Sequence, residues 1–100
     1  MTLQLSYTQK ALADLDDIYD FIASDNPVRA ETYIEDIKKA CRSLCGTPLI
    51  GVARAGLGPD LRILPLWRRI VVAYKVTPGC VVVLRVFSGG QDYEAIIGGD

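Results

Sequence analysis

Histidine is absent from this chain, and with it goes the side chain whose ordinary pKa lies closest to neutrality. A Ser–His or Cys–His nucleophile is therefore excluded, and any acid–base chemistry would fall to weaker candidates. Long apolar runs are missing too. A stretch such as Cys80–Leu84 falls far short of the roughly 20 residues needed to cross a bilayer. No basic segment leads into an apolar core at the amino end, so the sequence predicts a soluble, cytoplasmic protein with no membrane partner. Cysteine is sparse and odd in number: Cys41, Cys45 and Cys80. Without an export signal that count argues against a disulfide framework. Cys41 and Cys45 sit one helical turn apart, yet only one further cysteine and no histidine remain to complete a tetrahedral site, so buried thiols are expected, with no metal and no cofactor.

What remains is a chain of 100 residues, half of them apolar, which suits one compact domain over residues 1–100. Its net charge of −1 hides an uneven distribution. Residues 1–41 carry four basic and eight acidic side chains, residues 42–91 seven basic and one acidic, and residues 92–100 three acidic only. The cationic middle either serves an anionic partner or complements the acidic first part within one fold.

Leu3, Leu5 and Tyr7 alternate with polar neighbours, the period of a half-buried strand. Thr8 is placed to cap a helix whose apolar stripe is Ala11, Leu12, Leu15, Ile18, Tyr19 and Ile22. Asn26-Pro27 reads as the cap and first turn of a second helix, with the stripe Ala30, Tyr33, Ile34, Ile37, Cys41 and Leu44 and a stop at Gly46 and Pro48. So short a link makes the two an antiparallel hairpin. Residues 47–59 read as an irregular connection. From Asp60 the texture turns to β, in three runs from Leu61, Arg69 and Cys80, the last two joined by the tight turn Thr77-Pro-Gly79. The predicted class is α+β in the order β-α-α-β-β-β, with an antiparallel sheet packed on an N-terminal helical hairpin. Ile70, Val72, Tyr74 and Val76 fall on one face of the third strand, and Val71, Ala73 and Lys75 on a face left for a partner.

The carboxylates Asp14, Asp16, Asp17 and Asp20 spread around the first helix and read as a solvated face. Gly56-Leu-Gly58 and Gly89-Gly90 lack the spacing of a phosphate-binding loop and read as turns. The arginines admit two readings. Arg62, Arg68, Arg69 and Arg85, with Lys75, lie on or beside predicted strands and either clamp a partner's phosphates or carboxylates or pair with helix carboxylates inside the fold. Trp67, in a turn, is either an interface anchor or a core residue. Tyr93 either packs the tail against the sheet or assists proton transfer.

The segments Ala11–Ile18, Cys41–Pro48, Leu61–Pro65, Ile70–Tyr74 and Leu84-Arg-Val-Phe-Ser-Gly-Gly-Gln-Asp92, in that order and spacing, resemble the ParE branch of the ParE/RelE toxin superfamily over nearly the whole chain. The resemblance implies the toxin of a type II toxin–antitoxin pair, held inactive by a ParD-like antitoxin and acting on DNA gyrase when free. The RelE branch shares the fold but cuts messenger RNA on the ribosome. Members often carry a histidine and an arginine after the last strand, where this chain has Ser88 and Gln91. That departure favours a binder, with no catalytic residue and no direct nucleic-acid substrate. Arg62, Trp67, Arg68, Arg69, Arg85 and Tyr93 are then its partner-binding candidates. The alternatives are a RelE-like endoribonuclease, using arginines and Tyr93 or Lys75, and a non-toxic binding module.

Overall fold

A computed structural model describes residues 3–54, 56, 58, 60–67 and 70–88. Strand β1 (Gln4–Tyr7) leads into helix α1 (Gln9–Ala23) and helix α2 (Pro27–Ser43), followed by β2 (Val52–Ala53), β3 (Leu61–Leu66), β4 (Ile70–Thr77) and β5 (Cys80–Phe87). The helix ends follow from local chemistry. Thr8 holds an extended backbone and its hydroxyl accepts the Ala11 N–H at 3.1 Å, while Asn26 does the same for Arg29 and Pro27 opens α2. The Thr8 hydroxyl also donates to the Leu84 carbonyl at 2.7 Å, which ties the start of α1 to the last strand.

The sheet order is β1-β5-β4-β3-β2. β3 through β5 form the expected antiparallel meander, and β2 pairs antiparallel with β3, but β1 runs parallel to β5 with Gln4 opposite Cys80, so the sheet is mixed. The hairpin sends the chain back across the sheet, and the first strand then fits the open side of β5 only in that direction. β2 is the second addition: a short edge strand inside the connection that the sequence left irregular, with Val52 opposite Ile63.

The main core lies between hairpin and sheet. Ala11, Leu15 and Ile18 of α1, Ile37, Cys41 and Leu44 of the α2 segment, and Ile70, Val72, Tyr74, Val81, Val83 and Val86 of the sheet are buried together. Each large aliphatic removed from water in this way contributes about 1.5–3 kcal/mol. On the far face Leu61, Ile63, Ala73 and Phe87 form a second buried cluster, with Val71 and Leu84 packed against it. All three cysteines are free thiols; Cys41 and Cys45 are buried and Cys80 is half-buried.

A β-bulge shapes the last strand. Ala73 pairs with Arg85 but Tyr74 with Val83, leaving Leu84 as the extra residue. The bulge resets the alternation, so Val83 and Val86, three positions apart, both reach the main core. The Thr8 N–H still donates to Val83 O at 3.0 Å, after which the chain turns into α1 and a side chain takes over, as described next.

Candidate functional site

Asp14 is the one member of the acidic cluster that is drawn into the fold. Its carboxylate accepts from Arg85 Nε at 2.8 Å, from Arg85 Nη2 at 3.0 Å and from the Val86 backbone N–H at 2.9 Å. It thus supplies an acceptor to β5 beyond the end of its pairing with β1. The side chains are 14% and 23% exposed, enough burial to make the bidentate pair a structural clamp. The Arg85 guanidinium also sits 5.0 Å from the centre of the Phe87 ring. Asp16, Asp17 and Asp20 remain exposed, as expected of a solvated face.

Arg62 is likewise turned inward. Its Nη1 donates to the carbonyls of Leu49 and Gly51 at 3.2 and 2.7 Å. Its register partner Tyr74, fully buried, donates its hydroxyl to Pro48 O at 2.7 Å and accepts the Gly51 N–H at 2.9 Å. Burial pushes the Tyr74 phenol up, partly offset by the Gly51 amide and the Arg62 charge. Gly51 is required here, because a Cβ would lie 2.5 Å from the Tyr74 hydroxyl. The predicted cationic cluster is therefore not assembled by these two arginines, which hold separate parts of the fold. Arg68, Arg69 and Tyr93 lie outside the described residues.

Trp67 stands at the surface and not in the core. It is 57% exposed and adopts a left-handed backbone at φ 55°, a conformation that costs a bulky residue about 1–3 kcal/mol. Its ring meets Tyr33 of α2 with centroids 5.4 Å apart and planes tilted by 42°. Tyr33 in turn lines a groove of about 770 Å³ between the hairpin and the sheet. Ile18, Ile22, Ile70 and Val86 give this groove an apolar floor, while Phe21, Asp17 and Arg29 stand along its sides. Phe21 is 80% exposed and neighbouring Val28 74%. Sequence periodicity missed Phe21 because it falls off the buried stripe; its only signal is an aromatic ring among the charges of the α1 outer face.

The groove offers shape, aromatic surface and charges of both signs, Asp14 and Asp17 against Arg29, an arrangement suited to an amphipathic segment. Among the described residues no group of three or more Cys, Asp or Glu side chains is placed to hold a metal ion. No described helix is long and apolar enough to cross a membrane.

The sequence pattern of the ParE toxin of type II toxin–antitoxin systems matches residues 5–93. The chain belongs to the ParE toxin family. In the ParE frame the groove and the clamped strand ends all lie within the matched span. A solved structure of the chromosomal ParDE system of P. aeruginosa is 29% identical, with a TM-score of 0.73, covering 87% of this chain and 96% of that one. The RelBE2 toxin–antitoxin complex of Mycobacterium tuberculosis superposes with a TM-score of 0.68 at 19% identity, covering 89% of this chain and 100% of that one. A conserved hypothetical protein of Helicobacter pylori, solved in solution, gives 0.56 at 19%, covering 89% and 97%. The last two share the fold. No significant match was found among curated protein sequences.

Proposed function

We propose that this ParE-type toxin is neutralised in the cytoplasm by a ParD-like antitoxin and, when free, inhibits DNA gyrase by binding it, without making or breaking bonds itself. The observation that carries the reading is the groove beside the hairpin, with its apolar lining, the exposed ring of Phe21 and, packed on Tyr33 of the lining, the exposed ring of Trp67. An amphipathic antitoxin helix would lay aliphatic side chains on Ile18, Ile22 and Ile70 and place opposite charges toward Arg29 and Asp17. Trp67, already strained in its backbone, would anchor the contact. The inward use of Arg62 and Arg85 supports binding over phosphodiester cleavage, since a nuclease would have to withdraw these guanidinium groups from their internal partners.

Inducing the chain alone in bacteria tests this directly. Filamentation with DNA-damage signalling and inhibition of gyrase supercoiling by the purified protein are expected. Rapid translation arrest with cleaved messages would identify an endoribonuclease instead, and normal growth would remove toxicity from the account.

A further inference from the structure

Two charges in the groove serve no purpose within the fold. Of the charged side chains that line it, Asp14 is engaged by Arg85 and the Val86 N–H, which leaves Asp17 and Arg29. Both are exposed, and among the described residues neither side chain forms an ion pair or a hydrogen bond, with the other or with a third group. Each also stands against local preference. Asp17 has Asp14 and Asp20 three residues to either side on α1, and like charges at that spacing repel. Arg29 comes three residues after the Asn26 cap, in the first turn of α2, where the helix dipole and the unbonded N–H groups favour an acidic side chain. Stability alone would favour a neutral or opposite residue at both positions.

Their spacing is set by the hairpin. Asp17 lies six residues before the end of α1 and Arg29 two residues after the start of α2, an offset of about 6 Å along the hairpin axis. The separation of neighbouring helix axes adds about 8–10 Å across. The two charges are thus about 10 Å apart, too far to pair with one another and close to the length of two helical turns. Phe21 follows Asp17 by one turn and Tyr33 follows Arg29 by one turn, so each charge stands beside a ring that lines the same groove.

We propose that Asp17 and Arg29 are specificity-determining residues of the groove: they select an antitoxin segment that carries a Lys or Arg and, about two turns away beside its aliphatic stripe, an Asp or Glu. A segment of the same apolar pattern that brings a like charge to either place is rejected. This rests on the reading of the groove as the antitoxin's seat. Matched charges at a rim add modest affinity, whereas like charges brought together are costly, so the pair acts chiefly by excluding wrong partners.

The test is titration calorimetry of the purified cognate antitoxin into the wild-type chain, Asp17→Ala, Asp17→Lys, Arg29→Ala and Arg29→Glu, with a thermal melt of each free protein. The two charge reversals should melt at or above the wild-type temperature; a reversal that fails to fold shows that the fold needs that charge and overturns the proposal. Binding should weaken about threefold on neutralisation and at least about tenfold on reversal, with the loss shrinking as salt is raised. Reversing the acidic residues of the antitoxin one at a time should return one variant that binds Arg29→Glu within about threefold of the wild-type pair, and failure of every reversal to do so contradicts direct pairing. Reversal no worse than neutralisation overturns exclusion as the mechanism. Unchanged affinity in all four variants overturns the charge selection while leaving the antitoxin reading intact, and no binding to wild type overturns both.

Discussion

Arg85 of β5 is about three-quarters buried and bonds Asp14 of α1 twice, whereas Phe21, about two turns beyond Asp14 on α1, stands 80% exposed and lines a groove. The charged side chain works inside the fold and the aromatic one faces water, the reverse of what composition suggests. The difference follows from what each site requires. The end of β5 has a backbone N–H that β1 no longer reaches, and a carboxylate with a guanidinium partner satisfies it better than water in a half-buried setting. The groove needs no internal partner, so its rings remain available for another protein.

The comparison is most easily broken at Asp14. Asp14→Ala leaves Arg85 and the Val86 N–H without their acceptor, and a loss of about 3 kcal/mol is expected. Thermal unfolding should show a drop of more than about 10 °C in Tm for a domain of this size. Asp14→Asn keeps an oxygen for Val86 and should lose roughly half as much. Melting of both variants at the wild-type temperature would refute the clamp.

A loss of similar or slightly smaller size is expected from alkali. Burial pushes the Cys41 thiol up to about 11. Burial, followed by the adjacent Cys41 thiol, raises the Tyr7 phenol. In the unfolded chain these groups ionise at their ordinary values, so above about pH 8.5 that state binds fewer protons than the folded one. Stability is then fully present below that pH and declines toward pH 11, by about 2–3 kcal/mol for Cys41 alone. Denaturant unfolding at pH 7.5, 9 and 10.5 should show a falling midpoint, and a flat profile would contradict the burial of these groups.

Tyr74→Phe removes the hydroxyl that bridges Pro48 and Gly51 and should destabilise by about 1–2 kcal/mol. The smallest expected effect on stability belongs to the groove: Phe21→Asp and Trp67→Asp should change the unfolding free energy by less than about 0.5 kcal/mol, because neither ring is part of the buried core.

Much of this architecture was legible in the sequence because local chemistry decides it. Thr8, Asn26 and Pro27 cap helices wherever they stand before an apolar stripe, and the alternation of Ile70, Val72 and Tyr74 correctly assigns the core face of β4. Features that depend on long-range meetings were not legible. The parallel pairing of β1 with β5 and the bulge at Leu84 leave no local mark. Asp14 and Arg85 are 71 residues apart, and nothing in the run of aspartates singles out Asp14. The pairing of helix carboxylates with sheet arginines was one of two open readings of the charge pattern, and Asp14 with Arg85 realises it. Trp67 could be placed in a turn, but its left-handed backbone and its contact with Tyr33 needed coordinates.

The central proposal is that the groove, and not Arg62 or Arg85, is the surface that meets the partner. Titration calorimetry of the cognate antitoxin into Phe21→Asp tests it most directly. The account predicts at least about tenfold weaker binding at an unchanged melting temperature. Wild-type affinity in that variant would contradict it.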